Sequence, residues 1–580
     1  MPRMRSAPEV TIRELATVVV GACLVALIMH WPLILNLGHD IPKDLGDPLA
    51  QAYQMAWDGH ALAHQPLHFF DANQFWPFGD TLAFSDALIG YAPAGLIGSG
   101  PHAAVFRYDL MFLFAYALAF VGAYLLAREL GLGRGGAAVA GAAFAFAPFR
   151  LEQDGHMQVI SSGGIPLALA FAVRGYRRRR PGWVVVGWMV DTWQLLFGFT
   201  LGLPFAYLLV AIWIVAAIVW WRRGKPKINR GLAIATVAGA VIFVGTGFGL
   251  SRPYEHVAAA HPDAKRTPAN VEAFSSPPWA YLVAPEENFV WGAATGPIRD
   301  TLSNTPEETL FPGVVILILA IAGLGSSSFP RWLRRGLGIA VLVVAILAMG
   351  FRPEVPFLWP YRWIYEVLPG WNAIRVPGRL DTFTGLGLAL LAGAGLERLM
   401  AWRPLRVAAA WRGGAAIAAV AVFLVLVEGR GLPFDPFDNQ AQPKVPAVPP
   451  SAASVPAPQL HLPAKRATDN RRYVLWSTDG YPKIVNGRSS LNPQYTRRVI
   501  RKEEAFPDPR AVELLQRLGV KSVVLHTNRT GGTPWQDAAR KPIRGLPLTR
   551  SRDGDLLVYE IQPVGSGANR PADRSSRRSR

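Results

Sequence analysis

The chain has little charge for its length. Of 580 residues only 17% are Asp, Glu, Lys or Arg, against about 25% in ordinary globular chains. Acidic residues are the scarcer sign, 40 against 59 Lys+Arg, which leaves a net charge of +19. Cysteine is almost missing. The single Cys23 allows no internal disulfide and no Cys-ligated zinc, haem or iron–sulfur centre; lying in an apolar run, it reads as a small buried hydrophobe. Walker loops, GxSxG elbows and HExxH helices are missing from any suitable context, and the glycine-rich GLGRGG at 131–136 reads as a turn between apolar runs. What is present in excess is apolar: 51% hydrophobic residues, 19 Trp, and a positive mean hydropathy of +0.22. Intrinsic disorder, a coiled coil and a plain soluble enzyme are excluded. Apolar residues and charges must occupy different stretches.

A bilayer core takes about 20 mostly apolar residues per helix. About eleven stretches qualify, near 15–37, 106–127, 136–148, 159–174, 183–200, 202–221, 231–250, 310–327, 335–351, 380–398 and 412–429. The first is too long for a signal-peptide core and lacks a small-residue cleavage site, so it reads as an uncleaved anchor. Basic clusters fall in RGYRRRR (174–180), RRGKPKINR (222–230), PRWLRR (330–335) and RLMAWRPLRVAAAWR (398–412). The bias of Lys and Arg towards cytoplasmic loops puts these and the N-terminus (1–37 with the first span) inside the cell. The expected fold is an α-helical polytopic membrane bundle over 106–429. Loops 38–105, 251–309 and 352–379 lie outside, and an odd span count leaves the C-terminus outside too.

Residues 430–469, rich in Pro and Ala, read as a linker. Residues 470–562 read as a small extracytoplasmic α/β domain, with RYVLWST and VKSVVLHT as strands, DPRAVELLQRLG as a helix and DLLVYEI as a last strand. Residues 563–580 are a basic tail expected to be disordered. No nucleic-acid motif accompanies the positive charge. It fits the inside bias of the loops and attraction to anionic lipid or envelope polymer.

The sign reverses in the first outer loop, where Asp40, Asp44, Asp47, Asp58, Asp71, Asp80 and Asp86 face only Lys43. Leu49, Tyr53, Trp57 and His60 recur at helical spacing, a stripe suited to lying flat in the membrane interface. Carboxylates at 40, 44 and 47, beside the end of a span, offer a general base or a shared divalent cation, or else a solvated acidic loop that fixes topology. His39, His60, His64, His68 and His102 crowd the same loop without ligand-like spacing. Asp191, in mid-span, faces either a basic partner or a cavity.

Five segments together resemble the GT-C superfamily of multispanning glycosyltransferases, and within it the bacterial YfhO-like branch. They are GDPLAQAYQMAWDGHAL (46–62) directly after the first span, APFRLEQDGHMQV (147–159), PEETLFPGVVIL (306–317), LPGWNAIRVPGRL (368–380), and YVLWSTDGYPKIVNGRSSLNPQY (473–495) followed by FPDPRAVELLQRLGVKSVVLH (506–526). Glu152 or Gln153 stands where the branch usually has a first histidine. The resemblance implies transfer of a hexosyl or pentosyl group from a polyprenyl-phosphate carrier in the bilayer. The acceptor would be an envelope glycan, lipid or protein at the outer face.

Such a reaction needs a base for the acceptor hydroxyl and cations for the leaving phosphate. Asp47 matches the catalytic aspartate position, with Asp44 and Asp40 behind it; Asp47 followed by Pro48 also suits a helix start. Arg375 and Arg379 flank Val376-Pro377-Gly378, placed either to clamp a donor phosphate or to snorkel to headgroups. Arg150 and His156 stand just outside a span as binding groups, His156 equally suited to capping. Glu308 opens the next span as a further binding group or as a favourable helix-start charge. A single lipid phosphate leaves a divalent cation optional. Trp476, Tyr481 and Trp535 are candidates for stacking on sugar rings or for the core of the outer domain. The competing classes are a transporter or flippase of lipid-linked saccharides, which would show broken inverted repeats, and a non-catalytic scaffold for envelope assembly.

Overall fold

A computed structural model of the protein describes residues 9–222, 224, 229–352, 355, 359–402, 413–431, 443–449 and 454–563. The basic tail, and parts of the loops expected at 222–230, 352–379, 398–412 and 430–469, lie outside the described residues. The chain divides into two units. The first takes residues up to Phe70 and then Leu82–Val445; the second takes Asp71–Thr81 and everything from Pro446.

The first unit is helical. Its main helices are α1 (Ile12–Met29), α2 (Asp47–His64), α3 (Gly100–Glu129), α4 (Arg134–Phe146), α5 (Gly164–Arg178), α6 (Pro181–Leu195), α7 (Phe199–Arg222) and α8 (Arg230–Ala260). They are followed by α9 (Val314–Leu324), α10 (Arg331–Ala348), α11 (Trp359–Val367), α12 (Asp381–Met400) and α13 (Gly414–Glu428). Helices satisfy their own backbone polar groups, which a lipid surround demands. A helix stands at each of the eleven expected positions. Among the described residues six are long and apolar enough to cross a membrane: Ile12–Met29, Gly100–Glu129, Met157–Arg178, Phe199–Arg222, Arg230–Ala260 and Pro377–Met400. The protein is a multi-pass membrane protein. The outward faces carry Val20, Leu24 and Ile28 on α1 and Val241 and Phe248 on α8.

Local chemistry sets the ends of these helices. Thr11 accepts the Glu14 N–H at the start of α1, and Asn229 accepts the Leu232 N–H at the start of α8. Glu14 is buried and bound by Arg128 (2.8 Å), Tyr124 (2.8 Å) and Arg134 (3.0 Å), so α1 is pinned to α3 and α4 by charge. Small residues set the close approach of α12 to its neighbours. A Cβ on Gly393 would lie 2.4 Å from the Gly136 carbonyl on α4, and one on Gly395 would lie 1.8 Å from the Leu319 carbonyl on α9. These contacts fix the height of α12, and with it the segment before α12 that carries Arg375 and Arg379.

Two expectations are corrected here. Cys23 is exposed: α1 buries only Glu14, Ala22 and Ala26, and Cys23 falls off that narrow stripe. Helix α2 does not lie flat in the interface, because it is buried nearly throughout, from Pro48 to Ala61. A Cβ on Gly59 would lie 2.1 Å from the Gly95 backbone, so α2 packs backbone to backbone where a surface helix would show one face. Asp191 is buried in α6, its Oδ1 without a hydrogen-bond partner among the described residues.

The second unit is α/β. Strands β1 (Gln459–Leu462), β2 (Ser522–His526), β3 (Leu548–Asp553) and β4 (Leu556–Ile561) form one sheet in the order β1-β2-β4-β3. β1 runs parallel to β2, while β4 is antiparallel to both its neighbours. Helices α14 (Ala467–Trp476), α15 (Gln494–Lys502) and α16 (Pro509–Arg517) accompany it. Asp508 caps α16 by accepting the N–H groups of Arg510 and Ala511. Leu460, Leu462, Val523, Leu525 and Tyr559 meet Val512, Leu515, Phe506 and Trp535 in the core.

RYVLWST, expected as a strand, ends a helix instead, with Tyr473, Val474, Leu475 and Trp476 all buried. Burial on every side removes the periodicity that tells strand from helix. The Pro/Ala-rich stretch read as a linker supplies β1. The first outer loop also contributes to this unit: Trp76 donates its indole N–H to Leu518 O (2.8 Å), and Phe75 N–H donates to Asn486 O (3.0 Å).

Candidate active site

The site begins at the N-terminus of α2. Asp44 accepts the Gly46 N–H at 2.6 Å and closes a turn, after which Asp47 and Pro48 open the helix. A carboxylate in a first turn is favoured by the helix dipole. Upstream, Lys43 occupies the left-handed region (φ 70°) and sets its ammonium between Glu152, at 3.4 Å, and Glu287. Burial pushes the Glu152 carboxyl up to about 8 against the pull of Lys43. One turn into α2, Gln51 accepts the Met157 N–H (3.0 Å) and donates to Gln158 (2.9 Å). These bonds fasten α2 to the 152–158 segment.

His156 follows from that fastening. Its Nε2 stands 3.8 Å from Asp47 Oδ2 and 3.5 Å from Glu307 Oε1. Burial lowers its pKa, so the ring is neutral at pH 7. The Asp47 side chain is half-exposed (49%), whereas those of His156 and Glu307 are 14% and 8% exposed. Glu307 accepts two bonds from Arg379, Nη2 to Oε1 at 2.6 Å and Nε to Oε2 at 3.3 Å, a bidentate pair. Burial raises the pKa of Glu307, but Arg379, then His156, outweigh it and keep the carboxyl below its usual range. A Cβ on Gly378 would lie 2.6 Å from Glu307 O, so only glycine lets the two loops meet.

Arg375 is half-buried, its guanidinium over the Phe274 ring at 4.8 Å. Its pKa falls to about 10, first from burial and then from repulsion by Arg379 and Arg266. It remains cationic at pH 7.

Asp47, His156, Glu307, Arg379 and Arg375 are therefore one electrostatic group. The other expected residues lie differently. Arg150 is buried and bonds Ser162 Oγ and Ile160 O, both at 2.8 Å, with its guanidinium over the Tyr116 ring. It braces the segment that carries His156. Glu308 is fully buried, accepts the Ser303 N–H at 3.0 Å and faces Arg352 at 3.7 Å. Asp40 is buried and accepts from Asn36 at 3.0 Å. Among the described residues no three Asp, Glu, His or Cys side chains converge as metal ligands. Trp535 is fully buried and donates to Glu503 O (2.7 Å), a core residue. Trp476 is buried too and donates to Pro446 O at 3.1 Å.

Sequence reasoning passed over Glu307, Lys43 and Arg266. Glu307 and Glu308 are adjacent in a single helical turn, Thr305–Glu308, and only the register of that turn selects which one meets Arg379. The signal available was Gly378 between the two arginines, a position that invites close approach by another backbone.

The fold of the chain is similar to that of a solved membrane protein. The mycobacterial arabinofuranosyltransferase AftD superposes with a TM-score of 0.55 at 15% identity, over 96% of this chain and 40% of AftD. The Archaeoglobus fulgidus oligosaccharyltransferase AglB (TM-score 0.42, 15% identity, 89% of this chain and 69% of that one) is a more remote neighbour. So is ArnT from Cupriavidus metallidurans (TM-score 0.39, 13% identity, 95% and 98%). The chain spans about two fifths of the length of AftD. No protein-family model matches the sequence, and no curated protein sequence does. The likeness to AftD is one of fold.

Proposed function

We propose that the protein is a membrane glycosyltransferase of the YfhO-like kind. It would move a sugar from a polyprenyl-phosphate donor to a cell-envelope acceptor at the outer face of the cytoplasmic membrane. In this reading the basic turns are cytoplasmic, and the first outer loop and the second unit are extracytoplasmic. The observation that carries it is the grouping of a half-exposed carboxylate, Asp47, with His156, Glu307–Arg379 and Arg375 in a GT-C fold.

The acceptor oxygen attacks the anomeric carbon as the bond from that carbon to the phosphate oxygen breaks. Asp47 takes the hydroxyl proton, and the electron pair of the broken bond leaves on the phosphate. His156 lies beside the Asp47 carboxylate, its Nε2 3.8 Å from Oδ2. The positive field of Arg375 and Arg379 favours the transition state, because negative charge on the phosphate grows as the bond breaks. The donor headgroup carries one negative charge and the departing phosphate approaches two.

Asp47→Asn tests the base. The variant keeps the shape of the helix start and should lower sugar transfer by about a hundredfold or more, the usual contribution of general-base catalysis. Transfer at the wild-type rate by this variant would remove Asp47 from the role.

A further inference from the structure

The sheet of the second unit has two edges of different character. At the β1 edge the outward N–H groups are taken: Gln459 N–H donates to Lys483 O at 2.8 Å, and His461 N–H donates to Asn486 Oδ1 at 2.7 Å. The β3 edge has no such cover among the described residues. Leu548–Asp553 is six residues long, about 20 Å of extended chain, and every residue after Leu548 is exposed. The register tells which of its peptide groups are free. Ile561 N–H donates to Lys521 O and Thr527 N–H to Asp555 O, so the odd-numbered residues of β4 bond to β2 and the even-numbered ones to β3. Thr549, Ser551 and Asp553 therefore turn their backbone groups inward to β4. Those of Arg550 and Arg552 point outward and meet no backbone partner among the described residues. The two arginine side chains share one face of the strand. Arg550 Nη1 donates to Ala539 O at 3.0 Å, with its guanidinium over the Tyr559 ring at 6.0 Å, and Arg552 Nε donates to Gly554 O at 3.1 Å. Neither meets a carboxylate among the described residues. The 535–554 stretch, tied to the strand through Ala539, carries Arg540, Lys541, Arg544, Arg550 and Arg552 against only Asp537 and Asp553. An exposed edge is a template for another strand. Its arginines oppose a second copy, because antiparallel pairing of β3 with β3 sets like charges against each other. They favour a strand of opposite sign.

We propose that the β3 edge is a docking site for an extended acidic peptide of a partner protein, which adds to the four-stranded sheet as a further strand. The backbone groups of Arg550 and Arg552 supply the ladder. Their guanidinium groups meet carboxylates at alternate positions of the added strand, since both strands repeat every two residues. A glycan or a lipid headgroup uses the charges alone and leaves the outward N–H and C=O groups without a ladder. The site is independent of the glycosyltransferase reading. It lies wholly in the second unit, uses none of the residues grouped around Asp47, and stands whether or not the protein transfers a sugar.

The test uses the full-length protein in detergent and two short acetylated peptides, one alternating Thr with Glu and the other alternating Thr with Lys. The Glu peptide should bind and slow amide hydrogen exchange at Arg550 and Arg552, read by mass spectrometry, while Thr549 and Ser551, already paired to β4, stay unchanged. The Lys peptide should do neither. Arg552→Pro removes one outward N–H at an edge position where proline is tolerated, and should weaken the Glu peptide by about tenfold or more. Arg552→Gln keeps that N–H and should cost only about twofold to fivefold, the worth of an exposed ion pair. Arg550→Glu combined with Arg552→Glu should turn the preference over to the Lys peptide. Failure of the Glu peptide to bind, or binding that leaves exchange at Arg550 and Arg552 unchanged, overturns the docking edge. Wild-type affinity in Arg552→Pro does the same. Equal binding of the two peptides overturns the acidic partner. So does protection of the two amides that rises with protein concentration in the absence of peptide, which assigns the edge to a second copy.

Discussion

Buried carboxylates of opposite behaviour sit in the two units, and each makes a prediction. Glu307 is ionised because Arg379 binds both its oxygens. Its lowered pKa contributes stability above its ordinary value of 4.5, and that stability is lost as pH falls through the lower folded value. Glu307→Gln leaves Arg379 buried without its counter-charge and should destabilise the protein by about 3–5 kcal/mol. Thermal unfolding at pH 7 checks this; an unchanged midpoint would mean the pair is dispensable. Glu503 in the second unit has the opposite sign. It is fully buried, neither oxygen has a hydrogen-bond partner among the described residues, and burial pushes its pKa up to about 9. Below pH 4.5 folded and unfolded chains are both protonated there. Between about 4.5 and 9 the folded state binds the extra proton, so stability falls as pH rises. Glu503→Gln should raise the unfolding midpoint at pH 8 and leave it nearly unchanged at pH 4.5. Equal effects at both values would contradict the burial argument. At this scale the sequence was informative where chemistry is local: Asp47 beside Pro48 announced a helix start. It was silent on Glu307 against Glu308, because adjacent identical residues differ only in which way a single turn faces.

Two elements owe their position to close backbone contact. Helix α12 is held by Gly393 and Gly395 against α4 and α9. Gly395→Val should destabilise by about 1–3 kcal/mol or more, since it overpacks a contact with no flexible neighbour to yield. It should also lower transfer by displacing the arginine segment just before α12. Thermal unfolding and the transfer assay read the two effects; a folded, fully active variant would show that the approach is not required. The second element is the 71–81 segment, which belongs to the α/β unit through Trp76 and Phe75. Trp76→Ala should cost that unit about 2–4 kcal/mol, from lost burial and a lost indole hydrogen bond. Faster amide exchange in β2 would report it, and unchanged exchange would contradict it. Hydropathy located a helix at each of the eleven apolar stretches, but only six helices among the described residues are long and apolar enough to cross a membrane. It misread α2 and RYVLWST for the same reason: full burial erases the amphipathic pattern that single-sequence reading depends on. The 71–81 segment, whose Trp76 meets a residue 442 positions later in the chain, leaves no local trace of that contact.

For the whole molecule, charge is divided by place. The apolar residues make the membrane unit, the Arg-rich turns follow its short connections, and the acidic first loop carries the start of α2. In the proposed mechanism Asp47, at the start of α2, is the base, and Arg375 supplies the nearby positive charge. The resemblance in the sequence rested on motifs spread over most of the chain, and their grouping around His156 could not be read from spacing, because four separate loops supply it. The most direct measurement is sugar transfer by the purified full-length protein, supplied with radiolabelled polyprenyl-phosphate sugars and envelope acceptors, comparing wild type with Asp47→Asn. The account predicts labelled acceptor and released polyprenyl phosphate from the wild type, and a loss of about a hundredfold or more in the variant. Equal transfer by both proteins, or none by the wild type from any polyprenyl-phosphate donor, would contradict it.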